Sequence, residues 1–130
     1  MVFDTDMFIW VERGNAAAAR LMDQDRERFI AVQSYMELLQ CARDARQQER
    51  VRSFLREFGF RTLPLTEGIG HRAAMYIEQY SLSHRLRPGD AIIAATAAEQ
   101  GLTLCSSNVK HFRPIRGLKF RGFEPVAAKP

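Results

Sequence analysis

Arg87 to Phe112 read Arg-Pro-Gly-Asp-Ala-Ile-Ile-Ala-Ala-Thr-Ala-Ala-Glu-Gln-Gly-Leu-Thr-Leu-Cys-Ser-Ser-Asn-Val-Lys-His-Phe, and this stretch decides the fold class. Pro88 and Gly89 interrupt whatever structure precedes them. Asp90 then opens a helix, because a negative charge is favourable at a helix N-terminus. Residues 91–98 are apolar apart from one threonine, which predicts a helix that is covered on most of its sides.

The second half of the same stretch predicts a strand and a polar bend. Gly101 ends the helix, and Leu102 to Cys105 form a short apolar run of the kind found in buried parallel strands. Residues 106–108, Ser-Ser-Asn, form a polar bend directly after it. Ligands of open α/β sheets bind outside the carboxyl ends of the strands. Asn108 therefore lies where chemistry is expected, and Asp90 is expected to face the same crevice.

Short apolar runs alternate with helical segments along the rest of the chain. Strands are predicted at Val2–Phe3, at Phe29–Val32, around Thr62–Leu63 and at Leu118–Phe123. Helices are predicted at Met7–Glu12, at Ala16–Met22, from Ser34 through Ala42, at Ala45–Phe58, and from a cap at Thr66 to about Leu82. This alternation favours βαβ units and a parallel sheet in one domain, residues 1–130. The last four residues, 127–130, are expected to be frayed.

Composition and charge restrict the class of protein. The chain is 46% apolar and 26% charged, as is ordinary for a globular domain. Its net charge of +4 permits an acidic partner such as RNA, although arginines that solvate helix faces explain it as well. Cys41 and Cys105 lie in a predicted helix and a predicted buried strand, which indicates packing roles in a reducing compartment.

The sequence gives no indication of a membrane or of a nucleotide-phosphate loop. Asp4 and Asp6 interrupt the first apolar stretch, so no secretory signal is expected. No apolar run approaches the roughly 20 residues of a spanning helix, and we expect a soluble, cytoplasmic protein. A nucleotide-binding interpretation lacks its main support, a Gly-rich phosphate loop.

Four acids lie at predicted strand-to-helix junctions or in early helical turns: Asp4, Asp6, Glu37 and Asp90. Each has a structural explanation of its own, since one of the first two can cap a helix and Ser34-x-x-Glu37 matches a capping box. In a parallel sheet these junctions can converge, and clustered carboxylates repel unless a cation or protons neutralise them. Because oxygen ligands suit Mg²⁺ or Mn²⁺, this pattern predicts a metal-dependent phosphodiesterase.

Four motifs in this order resemble the PIN domain family, and more narrowly its VapC-type ribonuclease toxins. They are Asp4-Thr5-Asp6, Ser34-x-x-Glu37-Leu38, Pro88-x-Asp90-Ala-x-Ile-Ala-Ala and Leu104-x-Ser106-x-Asn108-x-Lys110-x-Phe112. The resemblance covers nearly the whole chain. It implies a three-layer α/β/α fold with a central, mostly parallel sheet, and RNA cleavage that depends on Mg²⁺ or Mn²⁺. It also implies a homodimer and inhibition by a small antitoxin.

The resemblance further implies roles for single residues. Asp4, Glu37 and Asp90 match the three acids of the family motif. Asp4 and Asp90 are expected to bind metal directly, and Glu37 to bind it directly or through water. Asp6 stands where many members have Asn, and Asn108 stands where many have a fourth Asp. Both are expected to orient water or a second ion.

Substrate contacts are expected beside these acids, and two other interpretations remain open. Ser106 would position the phosphate or Asn108, and the candidates for RNA phosphate contacts are Arg13, Lys110, His111 and Arg113. The first alternative is a PIN-like fold without catalysis that binds RNA or protein. The second is an unrelated α/β signalling domain whose acids at strand ends accept phosphate or bind one ion. Against the second, no suitably placed Lys follows a late strand, and the helix after Asp90 is too apolar for an exposed switch surface.

Overall fold

The computed structural model describes residues 1–125, in which strands and helices alternate. The strands are β1 (Val2–Phe3), β2 (Phe29–Ala31), β3 (Arg61–Leu63), β4 (Leu104–Ser106) and β5 (Phe120–Gly122). The helices are α1 (Thr5–Glu12), α2 (Ala16–Gln24), α3 (Val32–Cys41), α4 (Ala45–Glu57), α5 (Glu67–His84), α6 (Pro88–Glu99) and α7 (Val109–Phe112). The predicted fraying of residues 127–130 lies outside the described residues.

The strands form a sheet in the order β3-β2-β1-β4-β5, and every neighbouring pair is parallel. The chain runs outward from the central β1 to β2 and β3, and then crosses to the other side for β4 and β5. The strand order therefore reverses beside β1. Crevices of open α/β sheets form at the carboxyl ends of the strands where the order reverses, which places the candidate site after β1 and β4.

Helices cover both faces of the sheet. Val2 and Leu104 pack into a core with residues of α5 and α6. Their neighbours Phe3 and Cys105 pack on the opposite face with residues of α1, α2, α3 and α4. Successive side chains of a strand point to opposite faces, so a strand covered on both faces is apolar throughout. This arrangement is the predicted three-layer α/β/α fold.

The capping box predicted at Ser34 and Glu37 is wrong. The chain passes from β2 directly into α3, whose N-cap is Ala31, so Ser34 lies in the first helical turn. Its side chain is fully buried, and its hydroxyl has no hydrogen-bond partner among the described residues. Because α3 begins at Val32, Glu37 lies inside the helix, and its carboxylate accepts hydrogen bonds from other side chains.

Two other helices begin earlier than predicted. Asp4 is the N-cap of α1, and its carboxylate accepts a hydrogen bond from the Thr5 amide at 2.8 Å. Pro88 is the first residue of α6, a position at which its missing N–H costs nothing. Asp90 therefore lies in the first turn of α6, where its carboxylate accepts a 3.4 Å hydrogen bond from the Arg87 amide.

Smaller differences concern the end of β4, the segment after Asn108 and the cysteines. β4 ends at Ser106 rather than at Cys105, and one helical turn, α7, replaces the loop expected after Asn108. Cys41 is exposed, so the packing role predicted for it is wrong, whereas Cys105 is buried in β4 as predicted, and both thiols are free. Among residues 1–125, no helix has the length and apolar character needed to cross a membrane.

Arg28 fixes the ends of two helices. Its guanidinium donates to the carbonyls of Met22 and Asp23 near the end of α2, at 2.7 and 2.9 Å. It also donates at 2.7 Å to the carbonyl of Phe58, directly after α4. A cation is favourable at a helix C-terminus, where carbonyls lack intrahelical partners.

Candidate active site

The register of β1 and β4 brings Asp4 beside Ser106. Phe3 pairs with Cys105, and the Asp4 amide donates to the Cys105 carbonyl at 2.9 Å. The next residue of each strand therefore lies at the same sheet edge, where the Ser106 hydroxyl donates to Asp4 Oδ2 at 2.8 Å. Asp4 is 5% exposed and Ser106 is fully buried, so this contact is closed to bulk water.

Asp6 lies beside Asp4, in the first turn of α1. Its Oδ2 accepts hydrogen bonds from the amide of Ser107, at 3.1 Å, and from the Ser107 hydroxyl. Ser106 Oγ lies 3.3 and 3.4 Å from the two Asp6 carboxylate oxygens. Ser106 thus stands between two acids, and Ser107 holds the second of them.

Burial raises the pKa of both carboxylates, and repulsion by Asp6 adds to the increase at Asp4. Burial, then Asp6 and, to a lesser degree, Asp90 raise the pKa of Asp4 from 3.8 to about 8, against the lowering effect of its hydrogen bonds to Ser106 and Thr5. Burial likewise raises the pKa of Asp6, although hydrogen bonds from Ser107 oppose the increase. Without a cation, the pair resists carrying two negative charges.

Glu37 is held by two side chains. Thr5 Oγ1 donates to Glu37 Oε1 at 2.5 Å, and Gln33 Nε2 donates to Oε2 at 2.9 Å. A Cβ atom added at Gly89 would lie 2.9 Å from Oε2, so the Glu37 carboxylate packs against the first turn of α6, the turn that carries Asp90.

Asp90 and Asn108 meet through His111. His111 Nδ1 lies 3.2 Å from Asp90 Oδ2 and 2.9 Å from Asn108 Nδ2. The backbone amide of Asn108 donates to Ser106 Oγ at 2.9 Å. Asn108 therefore contacts Ser106, the partner of Asp4, through its backbone amide, and His111, the partner of Asp90, through its side chain.

The predicted phosphate-binding residues lie in different surroundings. Arg13 is exposed, with Cζ 5.8 Å from the centre of the Trp10 ring. Lys110 is exposed on α7. Arg113 is also exposed, but its Cζ lies 5.7 Å from the centre of the Phe120 ring in β5. His111, in contrast, contacts Asp90.

Sequence reasoning missed four residues that contact these acids or their serine partners. Ser107 was part of the polar bend, and Thr5 lies between the two acids of Asp4-Thr5-Asp6, so both stood within sequence features already recognised. Trp10 and Gln33 gave no such signal, because their contacts depend on how the helices pack on the sheet.

The residue types at the site suit a hard divalent cation, but its acids, all among the described residues, do not form a ready-made metal site. Within residues 1–125, no three side chains of His, Cys, Asp or Glu are close enough together to form a metal site. No Lys or Arg of the same range forms an ion pair with Asp4, Asp6 or Glu37. These carboxylates therefore keep their oxygen donors for a cation, and Mg²⁺ and Mn²⁺ prefer oxygen ligands.

A parallel sheet between two layers of helices, with acids after its central strand and on two neighbouring helices, defines the class of protein to which this chain belongs. Residues 1–117 match the PIN domain family, and the chain belongs to that family. The fold and family predicted from the four motifs are thereby confirmed.

Particular proteins are similar to this chain in sequence or in structure. The chain is 37% identical over 123 residues to Ribonuclease VapC10 of Mycobacterium tuberculosis, a match that covers 92% of this chain and 90% of that protein. A toxin–antitoxin complex from Klebsiella pneumoniae contains a similar chain, with 26% identity, a TM-score of 0.78 and 98% of both chains covered. VapBC-1 from nontypeable Haemophilus influenzae has the same fold, with a TM-score of 0.75, 21% identity, and 94% of this chain and 98% of that one covered.

Proposed function

We propose that this protein is a metal-dependent endoribonuclease and the toxin of a VapBC-type toxin–antitoxin pair. The observation that carries the proposal is the pair of acids after β1, the buried Asp4 and the partly buried Asp6, which no Lys or Arg of residues 1–125 neutralises. Glu37 and Asp90 lie on the two neighbouring helices. The 37% identity to a protein named a ribonuclease supports the choice of RNA as the substrate.

The acids have separate roles in this proposal. Asp4 and Asp90 bind Mg²⁺ or Mn²⁺ directly, Glu37 binds it directly or through water, and Asp6 orients water or a second ion. The bound ion supplies Lewis-acid chemistry at the scissile phosphate and lowers the pKa of its water. Asn108 is a weaker ligand than a carboxylate, because an amide carbonyl carries no charge.

Hydrogen bonds fix two of these acids before any ion binds. Ser106 donates to Asp4, while Thr5 and Gln33 donate to the two oxygens of Glu37. Ser106 is fully buried, so we assign it to positioning Asp4 and Asn108 rather than to contact with phosphate. Fixed ligands lose less entropy when they bind an ion.

Exposed basic side chains would hold the RNA backbone. Arg13, Lys110 and Arg113 are exposed, and the chain carries a net charge of +4. Contacts with phosphate give affinity without sequence information. His111 was predicted to contact phosphate, but its imidazole lies against Asp90 and Asn108. We therefore assign it to contact with these two side chains as well.

The proposed partners are a small antitoxin and a second copy of the chain. The similar Klebsiella pneumoniae structure is a toxin–antitoxin complex, which supports the first partner. An open groove of about 380 Å³ between α1, α3 and α4 offers an apolar surface that includes Phe8, Val51 and Phe54. Met75 and Leu82, exposed apolar residues on α5, support a homodimer. The proposed RNA substrate is consistent with the expected cytoplasmic location.

Cleavage assays with matched acid-to-amide variants test the proposal. Purified protein should cleave RNA with Mg²⁺ or Mn²⁺ and lose this activity in a chelator. Asp4→Asn should abolish cleavage and relieve growth arrest on expression, since it removes a ligand charge with little change in volume. Asp44→Asn is the control, because Asp44 is an exposed N-cap of α4 and Asn caps equally well.

The outcomes separate catalysis from binding. Loss of cleavage in Asp4→Asn but not in Asp44→Asn supports the proposed enzyme. Equal cleavage by both variants, at equal levels of soluble protein, contradicts it. Metal binding by the wild-type protein without any cleavage of RNA favours a non-catalytic PIN-like module.

A further inference from the structure

Trp10 is connected to the candidate site although none of the four motifs contains it. Its indole Nε1 lies 3.2 Å from Ser107 Oγ. Ser107 in turn donates to Asp6 Oδ2 through both its hydroxyl and its backbone amide. All three residues are partly buried, so the contacts are partly shielded from competing water. One hydroxyl therefore separates the indole from a carboxylate of the site.

The direction of each hydrogen bond that links Trp10, Ser107 and Asp6 through their side chains is fixed. An indole N–H can only donate, so Ser107 Oγ accepts from Trp10. A serine hydroxyl has a single proton, and a carboxylate accepts hydrogen bonds. The Ser107 proton is therefore directed at Asp6, and the indole keeps it in that orientation.

The neighbouring acid is held in the same way. The Asn108 amide donates to Ser106 Oγ, and Ser106 donates to Asp4 at 2.8 Å. The single hydroxyl proton of Ser106 is thus used by Asp4, and the longer 3.3 Å approach to Asp6 Oδ2 cannot share it fully. Asp6 depends on Ser107 for its own hydroxyl donor, and Ser107 depends on Trp10 for its orientation.

We propose that Trp10 and Ser107 are positioning residues that hold the Asp6 carboxylate in the orientation needed to receive a divalent cation or its bound water. The inference rests on the proposed function, because it concerns the same acids. It assigns no contact with the cation to either residue. Partners behind a ligand set its orientation and affinity, and their loss typically lowers metal affinity about 10- to 100-fold.

The affinity for Mg²⁺ itself tests the inference, independently of cleavage. Calorimetric titration would compare wild type with Ser107→Ala, Ser107→Thr and Trp10→Phe. Trp10 is the only tryptophan in the chain, so intrinsic fluorescence during the titration reports this position in every variant that retains it. Ser53→Ala is the matched control, because the Ser53 hydroxyl also lies near a carboxylate, 3.4 Å from Glu49, but on the outer helix α4.

We expect Ser107→Ala and Trp10→Phe each to weaken Mg²⁺ binding about tenfold, and Ser107→Thr to keep most of the affinity. The double variant Trp10→Phe with Ser107→Ala should bind no more weakly than Ser107→Ala alone, because the indole acts only through the hydroxyl. Ser53→Ala should bind as the wild type does.

Several results would overturn the inference. One is unchanged Mg²⁺ affinity in Ser107→Ala, whose small substitution preserves the backbone amide bond to Asp6. Another is a double variant in which the two losses add, which shows that Trp10 acts by a separate route. A wild-type protein that does not bind Mg²⁺ at millimolar concentration also contradicts it. If Mg²⁺ binds as expected but RNA is not cleaved, the proposed ribonuclease fails while the positioning role stands.

Discussion

The metal-free protein should lose stability as pH rises, because Asp4 is buried beside other acids. Its pKa is raised from 3.8 to about 8 in the folded state, mainly by burial and then by Asp6. The folded protein therefore holds the Asp4 proton more tightly than the unfolded chain. The contribution of this proton to stability is fully present below about pH 4 and is lost as pH rises through about 8.

The size of this loss follows from the difference between the two pKa values. A difference of about four pKa units corresponds to about 5 kcal/mol in the free energy of unfolding. Asp6 titrates together with Asp4, so part of the loss belongs to the pair and 5 kcal/mol is an upper bound for Asp4. We expect a loss of roughly 2–5 kcal/mol attributable to Asp4 between about pH 4 and pH 8.

Denaturant unfolding of wild type and Asp4→Asn in a chelator, at several pH values in this range, measures the effect. The variant cannot ionise, so its stability relative to wild type should rise steadily with pH. A constant offset is expected as well, since Asn cannot accept hydrogen bonds from both Thr5 and Ser106. The prediction therefore concerns how the difference in unfolding free energy between the two proteins changes with pH, and not its constant part.

Mg²⁺ and a control variant complete the test. Saturating Mg²⁺ should stabilise the wild type more at higher pH, because protons compete with the ion for the same oxygens, and should stabilise Asp4→Asn little. Asp44→Asn is the control variant, because it makes the same acid-to-amide change at an exposed helix cap outside the site. If the difference between Asp4→Asn and wild type is flat from pH 4 to 8, the assigned pKa of Asp4 is wrong and so is the picture of an uncompensated buried acid.

Further predictions concern five other positions. Glu37→Gln should keep the fold, since no capping bond is lost, but lose cleavage; full activity would return Glu37 to a structural role. Gly89→Ala should displace the Glu37 carboxylate and lower activity about tenfold or more. Gly70→Ala, where a Cβ meets nothing within 4 Å, should instead stabilise α5 by roughly 0.5–1 kcal/mol and leave activity unchanged. Arg28→Ala should cost roughly 2–3 kcal/mol in denaturant unfolding without changing Mg²⁺ affinity. Asn108→Asp should lower the Mn²⁺ concentration for half-maximal cleavage and modestly destabilise the metal-free protein, and unchanged values would remove Asn108 from the site.

Local sequence signals located the elements well but misjudged several boundaries. Strands β1 and β3 and helices α2 and α4 lie within one or two residues of their predicted positions. At Ala31 the chain turns directly from a strand into a helix, and Ser34, three residues later, offered an apparent cap. A capping motif is recognised only by residue type, so it predicts a helix start even where tertiary packing has already begun the helix.

The sequence by itself determined the parallel α/β class, the family and the four acids, because these depend on hydrophobic pattern and on short motifs. Tertiary structure alone decided which groups meet. Asp4 and Ser106 are 102 positions apart, and Trp10 and Ser107 are 97 positions apart. Their contacts arise because β1 lies beside β4 in one register, with Phe3 opposite Cys105. That register is set by the burial of both sheet faces under helices, and a one-residue slip would turn every strand side chain to the wrong core.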